Sequence, residues 1–451
     1  MPVCVCVCVC VCWWWRLITV SVSTMKAMRF VIFTTALSLA AFHTSSTTIW
    51  PQPLKIENLG ESAIYLEPDF RINLLRKASS EAIEDAISRY FTQITNLPNF
   101  GRSLSGENGI HSLIVGGDLV VEKVSVEMDE SYDLIVSESS ASLNSSTFFG
   151  MLRGLESVLQ MLERDDVYDI GEEPPFFPNA VSIQDSPRFS YRGLMMDLSR
   201  HYYALDFLRH VIDSLVLNKM NVLHLHITDD QSFPMQSLKH PELTEKGSFG
   251  TDFVYTIENI SSVIEYAFQR GVVIVPEFDM PAHSSSWGAG EPNIVVTGYP
   301  GCSPKLFTHG DTLDPTKNET YDLIRSFLSE MVSSVFRSER TPYLHLGGDE
   351  VPTLCWLQSD HVVSWMKDRG YNDTSKLESY FVDRVASEFY NDTTSNSSAT
   401  TLMYWEEVFN NGCDIRQDAI IQAWKSNVMP DVLKSGRRVT NSYKWYAFCC
   451  V

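Results

Sequence analysis

From about residue 190 onward the chain repeats one pattern: a short apolar run, a knot of polar residues, then apolar positions three and four apart. The run "GLMMDLS" leads into "DFLRHVIDSLVLNK", where Phe207, Leu208, Val211, Ile212, Leu215 and Val216 share one helical face. "NVLHLHITDD" follows, then a helical stretch from Ile260 to Phe268, then "GVVIVPEFD". A longer helix with Leu323, Ile324, Phe327, Leu328, Met331, Val332 and Val335 on one side precedes "YLHLGGDE". "TLMYWEEV", "IIQAWK" and "RVTNSYKWY" bring the strands to seven. Strands alternating with amphipathic helices predict an α/β domain with a parallel sheet. In each run the apolar part comes first, and Asp, Glu, His or Trp gathers at the C-terminal end. That is the layout of a (β/α)8 TIM-type barrel, whose site is built on that face. A doubly wound nucleotide fold has no support, because no Gly-rich phosphate turn follows the first strand.

Residues 45–180 read differently. "SLIVGG" and "YDLIVS" are buried strands, "TFFGMLRGLESVLQMLE" is an amphipathic helix, and the Pro-rich "GEEPPFFPN" marks a boundary. The expected organisation is a small non-catalytic α/β domain over 45–180 and a catalytic barrel over 185–451.

The N-terminal segment changes the picture of where the folded chain starts. Five of the ten cysteines lie in "CVCVCVCVC" (Cys4–Cys12). A thiolate metal cluster is one reading of such a run. The stronger one is an in-frame TG dinucleotide repeat, since TGT encodes Cys and GTG encodes Val, so residues 1–24 are set aside as a translation artefact. Lys26 and Arg29 then precede the apolar "FVIFTTALSLAAF", too short for the ~20 residues that span a bilayer, so 25–44 is expected to be a signal peptide. Sequons at Asn144, Asn259, Asn318, Asn372, Asn391 and Asn396 agree with export to a lysosomal or extracellular destination.

Composition excludes some functions. With 35 basic and 56 acidic side chains the formal charge is −21, and no basic run exceeds a pair such as Arg437–Arg438. Nucleic acid is therefore a poor partner, because phosphate binding needs clustered cations. A neutral ligand or an acidic compartment suits this charge. No stable membrane insertion is expected once the leader is removed, and a homodimer is compatible with the sequence.

The chemistry gathers at strand ends. Asp349 and Glu350 close "YLHLGGDEV". Neighbours in a regular strand face opposite ways, so both acids reach one ligand only if the chain leaves strand geometry, which Gly347–Gly348 permits. Two carboxylates brought together acquire different pKa values, one remaining an acid while the other stays charged. A solvated acidic turn is the bland alternative. Against it stand Arg200 after the first strand, Asp229 and Asp230 after the second, Glu277, Asp279 and His283 after the third, and Trp405, Trp424 and Trp445–Tyr446 after the last three. Carboxylates, an Arg, a His and aromatic walls at successive strand ends are what sugar binding and glycosidic cleavage require. Metal binding is weaker: His224 and His226 alternate in a strand, without a compact ligand set. No cofactor is expected.

"RGLMMDLSRHYY", "NKMNVLHLHITDDQSFP", "VPEFDMPAHSSSWG", "LHLGGDEV" and "MYWEEVF" resemble the signature segments of the family 20 glycoside hydrolases, the β-N-acetylhexosaminidases, in order over roughly residues 185–446. The resemblance implies retaining, substrate-assisted exo-hydrolysis of terminal β-linked N-acetylhexosamine, an exception to the protein-nucleophile scheme. Glu350 would be the acid and base. Asp349 would hold the 2-acetamido group as it attacks the anomeric carbon, and Tyr446 would hydrogen-bond its carbonyl. Trp405 and Trp424 would wall the N-acetyl pocket, Arg200 would bind hydroxyls, and Asp229 with His283 would tune Glu350. It also implies a Cys302–Cys355 disulfide, with Cys413 left free or mispaired.

Two alternatives stand beside this reading: a non-catalytic sugar-binding remnant, and an endo-acting chitinase-like enzyme, whose acid-x-acid pattern "GGDEV" lacks. After Tyr446, Ala447 and Phe448 replace the Leu-Asp type of pair that the resemblance implies, and no eighth strand and helix follow. An incomplete barrel, poorly stable and weakly active or inactive, is the expectation for this sequence.

Overall fold

The computed structural model describes residues 4–8 and 49–445, apart from 79, 104–108, 122, 163–172, 298–310, 394 and 396. Strand β1 (Cys4–Cys8) belongs to the barrel. The small domain is a seven-stranded mixed sheet of β2 (Lys55–Asn58), β3 (Ile64–Leu74), β4 (Gly109–Gly116), β5 (Tyr132–Ser137), β6 (Ser140–Asn144), β7 (Phe176–Phe177) and β8 (Val181–Asp185), in the order β2-β8-β5-β6-β4-β3-β7. Along β5 the alternation is strict: Tyr132, Leu134 and Val136 are buried and the residues between them exposed, as a sheet with one covered face requires.

Helices α1 (Glu81–Thr95) and α2 (Phe148–Met161) pack on this sheet. Thr147 caps α2 by accepting the Gly150 N–H at 3.0 Å. Almost every residue of α2 is buried, because it is clamped between its own sheet and the barrel. The Phe148 and Phe149 rings each stand 6.3 Å from Phe268 of a barrel helix.

Being buried all round, α2 carries Arg153 inside and has to neutralise it. Arg153 Nε donates to Glu130 Oε1 at 2.7 Å, and Arg192 donates to both Glu130 oxygens at 2.8 Å. Arg153 also donates to the Gly271 carbonyl at 2.8 Å. Glu130, with 1% of its side chain exposed, is thus the hub of an ionic triad joining the two domains.

The barrel strands are β9 (Arg192–Asp197), β10 (Val222–Thr228), β11 (Val273–Phe278), β14 (Tyr343–His345), β15 (Thr401–Trp405), β16 (Ile420–Ala423) and β17 (Arg438–Asn441), with a small ribbon, β12 (Val295–Val296) and β13 (Thr312–Leu313), outside it. All neighbouring barrel strands are parallel. The seven expected strands are therefore all present. β10 and β11 are buried at every position, which is why they read as near-continuous apolar runs. Helices α3 (Leu205–Leu217), α4 (Ile257–Phe268), α5 (Asn318–Ser334) and α6 (Thr374–Asn391) lie in the connections, with a capping box from Thr256 and Asn259 starting α4.

The remaining position corrects one expectation. The Cys-Val segment, set aside as irrelevant to the fold, supplies β1, which pairs with β9 from Val5–Arg192 to Cys8–Met195 and with β17 at Cys4–Thr440 and Val5–Asn441. The closed order is β1-β17-β16-β15-β14-β11-β10-β9. Two facing strand edges present rows of unpaired N–H and C=O groups, and an extended segment with a β-branched Val at every second position satisfies both.

Candidate active site

β14 stops at His345, and the chain turns through Gly347 (φ 68°), Gly348 (φ 94°) and Glu350 (φ 53°). A Cβ at Gly347 would overlap the Asp279 carboxylate, and one at Gly348 would overlap Val408. The two glycines are thus required both by backbone sign and by space. Glu350 itself sits in the left-handed region, at a cost of about 1–2 kcal/mol for a residue with a Cβ. The turn places both acids before one imidazole: His283 Nε2 is 3.8 Å from Asp349 Oδ1 and 3.9 Å from Glu350 Oε2. This is the departure from strand geometry that the paired glycines predict.

Behind His283 runs a chain of charges. Its Nδ1 lies 3.2 Å from Asp229 Oδ1, and Asp229 Oδ2 is met by Arg200 at 2.6 Å and by His226 Nε2 at 2.8 Å. Arg200 turns a second nitrogen to Asp197 at 2.9 Å. Burial opposes charge on both Asp229 and His283, but their mutual attraction wins. Asp229 is held well below the usual carboxylate range with help from Arg200, and His283 well above the usual imidazole range with help from Asp279 and Asp349.

Asp349 shares a side-chain hydrogen bond with Asp279, which also accepts the Gly348 N–H at 3.1 Å. Burial pushes Asp349 up to about 6, against the pull of His283. Burial and the charge of Asp349 push Asp279 well above its ordinary value. The pair therefore shares a proton near neutrality.

The aromatic side is held from below by Glu277. This fully buried carboxylate accepts Trp405 Nε1–H at 2.8 Å on one oxygen, and meets His224 at 2.8 Å and His226 at 2.9 Å on the other. Burial presses His345 down to about 3 despite Glu277, and its unprotonated Nδ1 accepts the Gly347 N–H at 3.0 Å. Trp405 and Trp424 stand 5.9 Å apart at 59°, forming a corner. Trp424 Nε1–H is accepted by Glu407 at 2.9 Å, and the same glutamate lies 2.9 Å from Lys425, whose Nζ is 3.0 Å from Glu350 Oε1.

Of the residues expected at the site, Arg200, Asp229, His283, Asp349, Glu350, Trp405 and Trp424 converge on this face; Tyr446 lies outside the described residues. Sequence reading singled out neither Lys425 nor Glu407 and gave Asp279 no role. The only signal was their position after strand ends in "IIQAWK", "MYWEEVF" and "VPEFDMPAH". Among the described residues four His/carboxylate trios have ligand atoms within 4.8 Å of one another, including His224–Glu277–His345 and His283–Asp349–Glu350. In each, the carboxylates face histidines or cations of the network just described, so their charges are met within the protein. Cys355 is fully buried and disulfide-bonded, while its expected partner Cys302 lies outside the described residues. Cys413 is a free, buried thiol.

Residues 189–449 match the glycosyl hydrolase family 20 catalytic domain, and residues 49–161 match a domain described as beta-acetyl hexosaminidase like. The chain belongs to glycosyl hydrolase family 20. Its curated relatives include the beta-hexosaminidase subunit alpha of Rattus norvegicus, 33% identical over 92% of this chain and 79% of that protein. The beta-hexosaminidase subunit beta of Homo sapiens is 34% identical over 88% of this chain and 71% of that protein. Among solved structures, the Flavobacterium johnsoniae chitobiase superposes with a TM-score of 0.72 at 27% identity, covering 88% of this chain and 59% of that one. This family 20 chain is a glycosidase, and its reaction class is hydrolysis of terminal β-linked N-acetylhexosamine.

Proposed function

We propose that the chain releases terminal non-reducing β-linked GlcNAc or GalNAc from glycans by retaining, substrate-assisted catalysis, and that the residues gathered around Asp349 and Glu350 carry it out. In the first step the Glu350 carboxyl gives its proton to the glycosidic oxygen as the C1–O bond breaks, and the 2-acetamido oxygen closes on C1. Asp349, charged and buttressed by Asp279, accepts the acetamido N–H and stabilises the oxazolinium-like ring. Water then adds to C1, Glu350 takes its proton, and the ring oxygen leaves. Trp405 and Trp424 enclose the acetamido methyl, Arg200 binds hydroxyls, and the Tyr446 hydroxyl donates to the acetamido carbonyl. Asp229 and His283 tune the acid. The observation that carries this reading is the Gly347–Gly348 turn, which sets two neighbouring acids before one imidazole while Asp279 grips only the first.

The test is a matched pair of chromogenic substrates. The β-N-acetylglucosaminide is expected to be cleaved about 10³-fold faster, or more, than the β-glucoside lacking the acetamido group, because the latter has lost its internal nucleophile. Comparable rates on both would sink the mechanism. The acids, His283, Arg200 and both tryptophans are all in place, so nothing favours a sugar-binding remnant.

The proposal extends to a secretory route, lysosomal or extracellular, with a Cys302–Cys355 disulfide. The disulfide at Cys355 supports it, as do the exposed sequon residues Asn144, Asn318, Asn372 and Asn391. Asn259 is a poorer acceptor, since its side chain is half-buried and takes the Thr256 N–H as part of the α4 cap, and Asn396 lies outside the described residues. Among the described residues no helix is long and apolar enough to cross a membrane.

A further inference from the structure

We propose that Lys425 is a positioning residue for Glu350: its ammonium fixes the carboxyl's direction and sets the pH at which that carboxyl surrenders its proton. The inference rests on Glu350 being the acid and base, and deepens that reading.

Lys425 follows β16 at the C-terminal face of the barrel. A lysine head on a four-carbon stem is ordinarily mobile. This one is framed on three sides. Its N–H donates to Glu406 at 3.2 Å, beside the Trp424 N–H at 2.7 Å. Its Nζ stands 4.5 Å from the Trp424 ring centroid and 2.9 Å from Glu407 Oε1. Glu407 is itself anchored, because its other oxygen holds Trp424 Nε1–H. From this frame the ammonium reaches Glu350 Oε1 at 3.0 Å.

The charges facing Glu350 can be set out among the described residues. Lys425 stands on one oxygen and His283, backed by Asp229 and Arg200, is at 3.9 Å from the other. Asp349 is the next residue, with Asp279 behind it, and Glu407 stands behind Lys425. Lys425 is the nearest cation, and Glu407 offsets part of its charge. Glu350 Oε1 thus faces a cation whose own charge is partly met by Glu407. As the proton leaves for the glycosidic oxygen, negative charge grows on Glu350 beside a cation already in place, so no reorganisation is needed at that moment.

Removing the cation disfavours the carboxylate, so Glu350 keeps its proton to higher pH and is a weaker acid. For Lys425→Met the alkaline limb of the kcat/KM profile is expected to move up by about one pH unit, a shift at the low end for a close opposite charge because Lys425 is partly exposed. The rate loss should be several times larger for an alkyl aglycone than for a dinitrophenyl one, which departs with little protonation. Lys425→Arg should keep the wild-type limb, and Lys425→Gln replaces the Met variant if that does not fold. An unmoved limb in the folded neutral variant, or equal losses on both aglycones, overturns the proposal and leaves Lys425 a packing residue. Full activity in Glu350→Gln would instead overturn the acid–base reading, and this inference with it.

Discussion

Glu350→Gln is expected to lower kcat/KM for an alkyl β-N-acetylglucosaminide by about 10²–10⁴-fold, the usual worth of a positioned general acid. The substitution keeps shape and the left-handed backbone, so the loss should be chemical. An amide oxygen can still accept from Lys425, while Glu407 retains its own hold on the ammonium. Substrate binding should survive, because Arg200, Trp405 and Trp424 do not depend on the carboxyl proton. Steady-state rates measured together with inhibition by free N-acetylglucosamine separate the two effects. A variant that keeps more than a tenth of wild-type activity on the alkyl substrate would remove Glu350 from its role.

The largest stability effect belongs elsewhere, at Glu130. Both of its oxygens are engaged by Arg153 and Arg192, and its side chain is 1% exposed. Glu130→Ala would leave two guanidinium groups facing each other with little access to water. Stranding a buried partner costs about 3–5 kcal/mol, so chemical denaturation should show a loss of that size. The triad joins α2 and the small domain to β9, so the change should also loosen one domain from the other. Faster proteolysis near the junction than in the wild type would report that. A loss under about 1 kcal/mol would mean the arginines find other partners.

Much of the barrel was legible because strands such as β10 and β11 are buried on both faces and its helices are amphipathic, a contrast that runs down the sequence as apolar runs and helical stripes. Asp349 and Glu350 were legible too, because two glycines beside two acids mark a turn that a regular strand cannot make. Two other features had no such signature. Lys425 is a lone cation behind an apolar run, and nothing in "IIQAWK" says that folding sets it 3.0 Å from a residue 75 positions earlier. Glu130, Arg153 and Arg192 are likewise scattered through segments whose periodicity reports only burial, since ion-pair partners far apart in sequence leave no period. The part taken by Cys4–Cys8 was missed for another reason. A low-complexity origin says how a segment arose, whereas pairing asks only whether it can extend and offer its backbone.

The left-handed backbone at Glu350 bears on how this sequence would drift. At φ 53° glycine or asparagine sits more comfortably than glutamate. A copy released from the need to cleave glycosides would relieve that backbone strain by accepting either one, at the expense of the Lys425 contact. Position 350 is thus where selection for chemistry and selection for folding pull in opposite directions.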